Sequence, residues 1–331
     1  MKLLITGGTG FIGSRLALEA RSRGIEVTVA GQVKTAAEHA RHAELLERGV
    51  QIDQGPLQDA SYARSLVRGC TAVIHLAAAQ HEANVPDAYF ETVNVTGTRM
   101  LLEASRDAGV QRFVYGSTIG VYGDAAGGIL DELSPPRPVN VYGRTKLAAE
   151  EQVRTFGQSL PTTIIRISET YGPSDFRLLK LFRAIDRRRF FMIGAGTNRH
   201  QLIHVRDLVQ ALLLAMEHPA AVGQTVVVAG SEAMTTHDMV SQITQALGRS
   251  LPAVRAPLWP FVFLAGGLEL LCRPLGIQPP LHRRRLDFFR KSFVFDTTKA
   301  QAVLGFTPVV AFSDGAAEAA SWYRKHGYLP G

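Results

Sequence analysis

The chain has 331 residues, 46% hydrophobic and 20% charged, with 36 Lys and Arg against 29 Asp and Glu for a formal charge of +7. This composition excludes intrinsic disorder, which needs low apolar content and high net charge, and the length fits two domains or one large one. Two cysteines, Cys70 and Cys272, exclude a disulfide framework and point to a reducing interior.

No signal-peptide pattern opens the chain, because Met1-Lys2-Leu3-Leu4-Ile5 gives way at once to Thr6-Gly7-Gly8. The longest apolar stretch, 258–268, is broken by Pro260, Gly266 and Gly267, short of the ~20 residues that span a bilayer. A cytoplasmic protein without a transmembrane segment is expected.

In chain order, 2–6 reads as a strand, 12–23 as a helix ending at Gly24, 25–30 as a strand and 36–48 as a helix closed by Gly49. Further strands are expected at 50–53, 72–76, 111–115 and 163–167, with helical stretches near 59–68, 84–108 and 142–158. This alternation implies βαβ units and an α/β fold with a Rossmann-type, doubly wound parallel sheet. Right-handed crossovers then put a ligand at the carboxyl ends of the strands. After Gly172-Pro173 the pattern loosens. Strands at 202–205 and 225–229 around a helix at 207–217 return the chain to the sheet, and from about 231 it is largely helical.

Thr6-Gly7-Gly8-Thr9-Gly10-Phe11-Ile12-Gly13 follows the first strand and opens the first helix. Gly7 permits the tight turn, Gly10 lets backbone approach a pyrophosphate and Gly13 lets helix pack on strand. The N–H groups that open the helix, around Phe11 and Ile12, then face an anion. Residues 1–168 with the return segment 201–230 are therefore read as a dinucleotide-binding domain, and 169–200 with 231–331 as a smaller, mostly helical substrate-binding domain. At the end of the second strand, Val29-Ala30-Gly31-Gln32-Val33-Lys34 carries no acid to hold a ribose 2′-hydroxyl. Gly31 leaves room for a phosphate and Lys34 and Arg15 offer charge, which favours NADP(H) over NAD(H). Alternatively Lys34 is solvated and Gln32 bonds the ribose hydroxyls.

Tyr142 and Lys146 stand four apart, on one face of a helix. Ser117 and Thr118 fall at the carboxyl end of the strand at 111–115, so hydroxyl, phenol and ammonium converge beside a nicotinamide. Moving a hydride to or from a carbinol carbon requires a partner for the hydroxyl proton. Lowering a tyrosine from a pKa of about 10 to ~7 takes about 4 kcal/mol, roughly what a cation ~4 Å away supplies at an effective dielectric near 20.

The sequence resembles the extended short-chain dehydrogenase/reductase superfamily, including its NAD(P)-dependent epimerase/dehydratase and 3β-hydroxysteroid dehydrogenase-like members. The likeness runs from residue 1 to beyond 310 through TGGTGFIG at 6–13, HLAA at 75–78, NVTGT at 94–98, STIGVYG at 117–123 and YGRTK at 142–146. RISETYGP at 166–173, LIHVRDL at 202–208 and FDTTKAQAVLGFTP at 295–308 complete it. The resemblance implies Tyr142 as catalytic acid/base, Lys146 as its partner and ribose donor, and Thr118 as the hydroxyl on the substrate oxygen, with Ser117 as a neighbour able to substitute. It implies Asn94 as a support of the local helix and active-site network. Ala77 and Ala78 would line the cofactor path, and a homodimer would form through the helices near 84–108 and 142–158.

The departures bear on substrate. Pro56 stands where an aspartate usually contacts adenine, leaving Leu57 packing and backbone contacts. Glu169 replaces an asparagine, and His200, with Arg199 alongside, replaces an arginine, both of which contact the diphosphate in nucleotide-sugar members. A carboxylate facing a diphosphate is repulsive, so these three substrate-side residues count against that substrate.

Residues 256–293 carry Trp259, Phe261, Phe263, Leu264 and Leu268, then Arg283-Arg284-Arg285 and Arg290-Lys291. The leading reading is an ordinary core helix followed by a solvated arginine face. A lipophilic lid and an interfacial amphipathic segment with a basic flank are the others. Asp186-Arg187-Arg188-Arg189 reads as surface charge or an anion clamp. No metal-ligand spacing occurs, His75 reads as structural, and the scattered basic residues give no nucleic-acid motif.

The reading these residues favour is an NADP(H)-preferring oxidoreductase that interconverts a secondary alcohol and a ketone, by hydride transfer assisted by Tyr142, Lys146 and Thr118, on a mid-sized small-molecule substrate, with a lipophilic one among the readings. The alternatives are a nucleotide-sugar epimerase or dehydratase with tightly bound cofactor and, more remotely, a non-catalytic cofactor-binding regulatory protein.

Overall fold

The computed structural model describes residues 1–80, 85–123, 128–251, 254–272 and 286–330, with backbone alone at 269–271. Strands β1 (Lys2–Thr6), β2 (Glu26–Ala30), β3 (Gln51–Asp53), β4 (Ala72–His75), β5 (Arg112–Thr118), β6 (Thr162–Ile167) and, much later, Thr225–Val228 form a seven-stranded sheet. Its order is β3-β2-β1-β4-β5-β6 followed by Thr225–Val228, and every pairing is parallel. The central strands are buried on both faces, as a sheet covered by crossover helices must be.

The strand order reverses between β1 and β4, where a doubly wound sheet opens its ligand crevice. Register there pairs Thr6 with both Ala30 and His75, so three strand ends stop at one level. Helices α1 (Phe11–Ser22), α2 (Ala36–Glu47), α3 (Ala60–Leu66), α4 (Asp87–Phe90), α5 (Gly97–Asp107) and α6 (Val141–Phe156) make the crossovers. The stretch expected as one helix at 84–108 is α4 and α5 joined by a π-helical turn, Glu91–Thr96; residue 84 lies outside the described residues. Such turns cluster at functional sites, and this one carries Asn94.

The later chain is built differently. Thr170–Tyr171 (β7) pairs with Ile203–His204 (β10), Met192–Ile193 (β8) with Arg255–Ala256 (β13), and Arg199–His200 (β9) with Met234–Thr235 (β12). Thr225–Val228 is β11. The strand expected at 202–205 is thus a two-residue pairing outside the main sheet. Helices α7 (Leu179–Asp186), α9 (Thr236–Leu247) and the helix Phe312–Lys325 enclose a separate apolar core around Phe182, Met239, Ile243 and Tyr323. Helix α8 (Val205–Glu217) and the helix Thr298–Leu304 pack instead on the main-sheet core, to which Ala300, Leu304 and Phe306 belong. The expected division assigned 298–306 to the second domain; these residues side with the first because their apolar face meets α8 and β11. The apolar stretch read as broken at Pro260 forms one helix, α10 (Leu258–Cys272), since a proline in the first helical turn removes no internal hydrogen bond. Among the described residues no helix is long and apolar enough to cross a membrane.

Candidate active site

The glycine turn is held by backbone alone. Gly7 has φ +68°, and a Cβ there would lie 2.7 Å from the Ala77 nitrogen. A Cβ on Gly13 would lie 2.3 Å from the Gly7 carbonyl oxygen, so helix α1 seats against the turn only without a side chain. Gly10 caps α1 with extended backbone and no side-chain cap, which leaves the leading N–H groups of Phe11 and Ile12 for an anionic ligand. Ala77 and Ala78 border this turn at the end of β4, where the Ala77 N–H donates to Thr6 Oγ1 (3.3 Å). The bare backbone and uncapped helix fit a dinucleotide pyrophosphate.

Other residues expected around a cofactor are distributed unevenly. The Thr9 hydroxyl donates to the Gln32 carbonyl (2.7 Å), tying the turn to the end of β2. Leu57 packs beside Gly97 against the core under α5. Lys34 is exposed and donates to Tyr89 Oη at 3.4 Å. Arg15 departs from expectation: its guanidinium forms a two-pronged pair with Glu44 on α2, both contacts 3.1 Å, and so is already neutralised. Glu38 adds a carboxylate at the same turn, accepting from the N–H groups of Lys34 (2.9 Å) and Thr35 (2.8 Å).

His75 lies between Thr6 Oγ1 (2.5 Å) and Thr98 Oγ1 (2.9 Å) at the centre of the molecule. Burial, helped by the Lys146 charge, drives its pKa down to about 3, so it is a neutral structural imidazole. Asn94 clamps the strand end after β4, accepting from the Ala79 N–H (2.7 Å) and donating to the Ala79 carbonyl (3.0 Å). Its amide also donates to Thr145 Oγ1 on α6 (2.9 Å), which links the two elements.

Strand β5 runs three residues further than expected, to Thr118, so Ser117 and Thr118 point to opposite faces of the sheet. Thr118 Oγ1 accepts from the Gly120 N–H (3.0 Å), which leaves its proton to donate outward. A Cβ on Gly120 would be 3.3 Å from Thr118 Oγ1 and 3.9 Å from Tyr142 Cδ1, so hydroxyl and phenol ring flank one point. Ser117 does not share that place. It is buried and donates to Glu150 Oε1 (2.5 Å), which removes it as a substitute for Thr118.

Helix α6 carries Tyr142 at its start, capped by Asn140 through the Gly143 N–H (2.9 Å). Lys146, one turn on, is buried; its Nζ donates to the Gly116 carbonyl (2.7 Å) and sits 4.0 Å from the Tyr115 ring centroid. Burial lowers the ammonium to about 7, against the pull of Glu150. One turn further, Glu150 receives Arg166 from β6 at 3.1 and 2.9 Å and Arg154 at 2.6 Å. Arg166 also donates to Tyr122 Oη (2.9 Å), and burial takes that phenol up to about 12. Burial alone would raise Glu150, but Arg166, Ser117 and Arg154 outweigh it and keep the carboxylate ionised. Sequence reading missed Glu150, Arg166 and Tyr115. The spacing 142/146/150 marks Glu150 as the next residue on the same helical face; Arg166 and Tyr115 give no such signal.

On the substrate side, β9 puts His200 inward and Arg199 outward, with the Arg199 guanidinium on the Ala233 carbonyl (2.8 Å). Arg199 therefore does not stand in beside His200. The His200 Nδ1 meets Glu169 Oε2 at 3.1 Å, and Nε2 lies 3.1 Å from each of Asn198 Nδ2, Thr236 Oγ1 and the Phe288 carbonyl. Burial pushes Glu169 up, yet His200 and Arg177 hold its carboxyl below the ordinary range. Asn198 also lines a cavity of about 460 Å³ with Gly194, Gly196, Leu258, Phe289 and Arg290. Asp186 is buried and bonded to Arg249 (2.9 Å), while Arg187, Arg188 and Arg189 are exposed. Arg283, Arg284 and Arg285 lie outside the described residues. Among the described residues no group of His, Cys, Asp and Glu could hold a metal ion.

Comparison with known proteins identifies the family. The chain is 31% identical to dTDP-glucose 4,6-dehydratase of Streptomyces niveus, over 98% of this chain and 94% of the relative. It is 28% identical to the N-acetyl-alpha-D-glucosaminyl-diphospho-ditrans,octacis-undecaprenol 4-epimerase of Escherichia coli O157:H7, over 95% and 92%. A crystal structure of a DesIV double mutant (dTDP-glucose 4,6-dehydratase) from Streptomyces venezuelae with NAD and DAU bound superposes with TM-score 0.80 at 26% identity, covering 99% of each chain. The model of the NAD dependent epimerase/dehydratase family matches residues 3–230. The chain belongs to that family, within the extended short-chain dehydrogenase/reductase superfamily, and is an enzyme.

Proposed function

We propose that this enzyme oxidises and re-reduces a secondary alcohol of a sugar-type substrate while keeping its dinucleotide bound, as a nucleotide-sugar 4-epimerase does. The family and both named relatives support this order of preference over a net alcohol/ketone oxidoreductase. The observation that carries it is the convergence of Thr118 and Tyr142 at Gly120, with Lys146 one turn along α6 over the carboxyl ends of β4 and β5.

Tyr142 Oη takes the proton of the reacting hydroxyl and returns it. Thr118, its oxygen already occupied by the Gly120 N–H, donates to the substrate oxygen and fixes its angle. Lys146 Nζ, one turn along α6 from the phenol, holds a proton near neutrality. A nicotinamide, when bound, supplies the acceptance and return of the hydride.

For the cofactor, the Arg15–Glu44 pair and the Glu38 carboxylate leave Lys34 as the sole remaining support for a 2′-phosphate among the residues expected there, so NAD(H) is proposed over the NADP(H) first expected. Release of the retained cofactor and chromatography identify it. Lys34→Glu should leave NADH affinity within about twofold; a loss of tenfold or more confined to NADPH, with NADPH the tighter ligand of the wild type, would restore the phosphate reading.

One observation favours a second reading. The Glu169–His200 pair stands at the positions to which the resemblance assigns diphosphate contacts, and a carboxylate there suits a net oxidoreductase of a substrate without that group. Incubation with UDP- and dTDP-hexoses separates the two. Inversion at the carbinol carbon with no net absorbance change at the nicotinamide band supports the epimerase. Stoichiometric absorbance change with a non-nucleotide alcohol supports the second reading.

A further inference from the structure

We propose that the outer face of α10, together with the chain around Phe191 and Val254, docks on an anionic lipid bilayer. The proposal is independent of the reaction performed at Tyr142. Trp259, Phe263 and Leu264 are 65%, 75% and 55% exposed on this helix. The inner face of the same helix is occupied otherwise: Leu258, Phe261, Val262 and Ala265 pack with Ile193, Leu286 and Phe289. The helix is therefore apolar on both sides, whereas a helix lying on a protein core normally turns charge to water. Further exposed apolar residues stand where the inner face of α10 meets the strand pair β8 and β13. The Phe191 ring lies 5.9 Å from that of Phe261, and Val254 is 66% exposed beside Met192, whose N–H it receives. Exposed apolar residues gathered this closely mark a binding surface rather than ordinary scatter.

The charge around the patch selects its occupant. Arg187, Arg188 and Arg189 are exposed in the segment leading to Phe191, and Arg255 is exposed opposite Met192 in the β8–β13 register. Among the described residues none of these four guanidinium groups pairs with a carboxylate, and the adjacent Asp186 is buried on Arg249. Aromatic and aliphatic side chains that enter the headgroup boundary, with arginines beside them, match an anionic bilayer surface. A protein partner would have to bring its own carboxylates to answer these arginines, whereas an anionic bilayer supplies negative charge along its whole surface. Docking in this orientation places α10 between the bilayer and the cavity bounded by Leu258 and Phe289.

Sedimentation with extruded vesicles tests this, using phosphatidylcholine alone and phosphatidylcholine with one third phosphatidylglycerol. The whole protein should pellet with the anionic vesicles, release as salt is raised, and show a blue-shifted Trp259 emission in a Trp322→Phe background. Trp259→Ser with Phe263→Ser should reduce partitioning by about tenfold or more. Arg187→Gln and Arg189→Gln should each reduce it about fivefold. All four positions are exposed, so the variants should keep the wild-type melting temperature. Failure of the wild-type protein to pellet with anionic vesicles overturns the proposal. So does a dimer in light scattering that Trp259→Ser with Phe263→Ser dissociates while vesicle binding is unchanged.

Discussion

The sheet half and the lobe built around α7, α9 and Phe312–Lys325 fix their residues by different means. In the sheet half the positions are set by backbone: parallel register stops β1, β2 and β4 at one level, and the glycine turn is fixed by how closely Gly7 and Gly13 approach main chain. In the lobe the strands are two residues long, and side chains do the positioning. Asn198 donates to the Phe288 and Lys291 carbonyls at 2.7 and 3.1 Å, and His200 joins Glu169, Thr236 and Phe288. A scaffold fixed by backbone tolerates little change, whereas a pocket fixed by side chains is re-aimed by single substitutions. Conserving the reaction while varying the substrate requires that split.

Substitutions on either side should break or sharpen the contrast. The largest effect is expected beneath α6, where Arg166→Met leaves Glu150 buried and paired with the half-exposed Arg154 alone. Denaturant unfolding should show a loss of about 3–5 kcal/mol, and Glu150→Met with Arg166→Met together should recover most of it. Next, Tyr142→Phe should reduce turnover by ~10²-fold or more while the bound dinucleotide and melting temperature stay unchanged; wild-type turnover would end its assignment as acid/base. In the lobe, Glu169→Asn with His200→Arg replaces a carboxylate–histidine pair by a neutral group and a fixed cation. Calorimetry should then show UDP binding about tenfold tighter, with the fold of the sheet half undisturbed.

The smallest expected signal is a pH slope. The Glu169 carboxyl is held low in the folded state, so the folded chain binds its proton less readily than the unfolded one. Its contribution is present above the ordinary carboxyl value of 4.5 and is lost as pH falls through the lowered folded value. Because the side chain is 35% exposed, solvent screening keeps this below about 1 kcal/mol. Thermal unfolding from neutral to acid pH should be slightly shallower for Glu169→Gln than for wild type.

Legibility followed the same division. The first strands and helices, the glycine turn and the 142/146 pair were readable because each depends on residues within one or two turns of one another. The boundary errors there are small, such as β5 ending at Thr118 rather than 115. The lobe was readable only as mostly helical. Its short strand pairs join residues tens of positions apart, as Met192 joins Arg255, and two residues offer no periodicity to detect.

The sequence alone determined a nucleotide-binding α/β sheet and a tyrosine–lysine helix, because strand–turn–helix and i, i+4 relations are local and survive any tertiary arrangement. Only the folded chain separated the surroundings of the two hydroxyls. Period-2 alternation separates Ser117 from Thr118, but the approach of Glu150, 33 residues away, buries the first, and Gly120 and Tyr142 flank the second. Arg15 went to Glu44 and Arg199 to Ala233 for the same reason. A long side chain takes the partner that distant elements bring within reach, and that distance is not written in its neighbours.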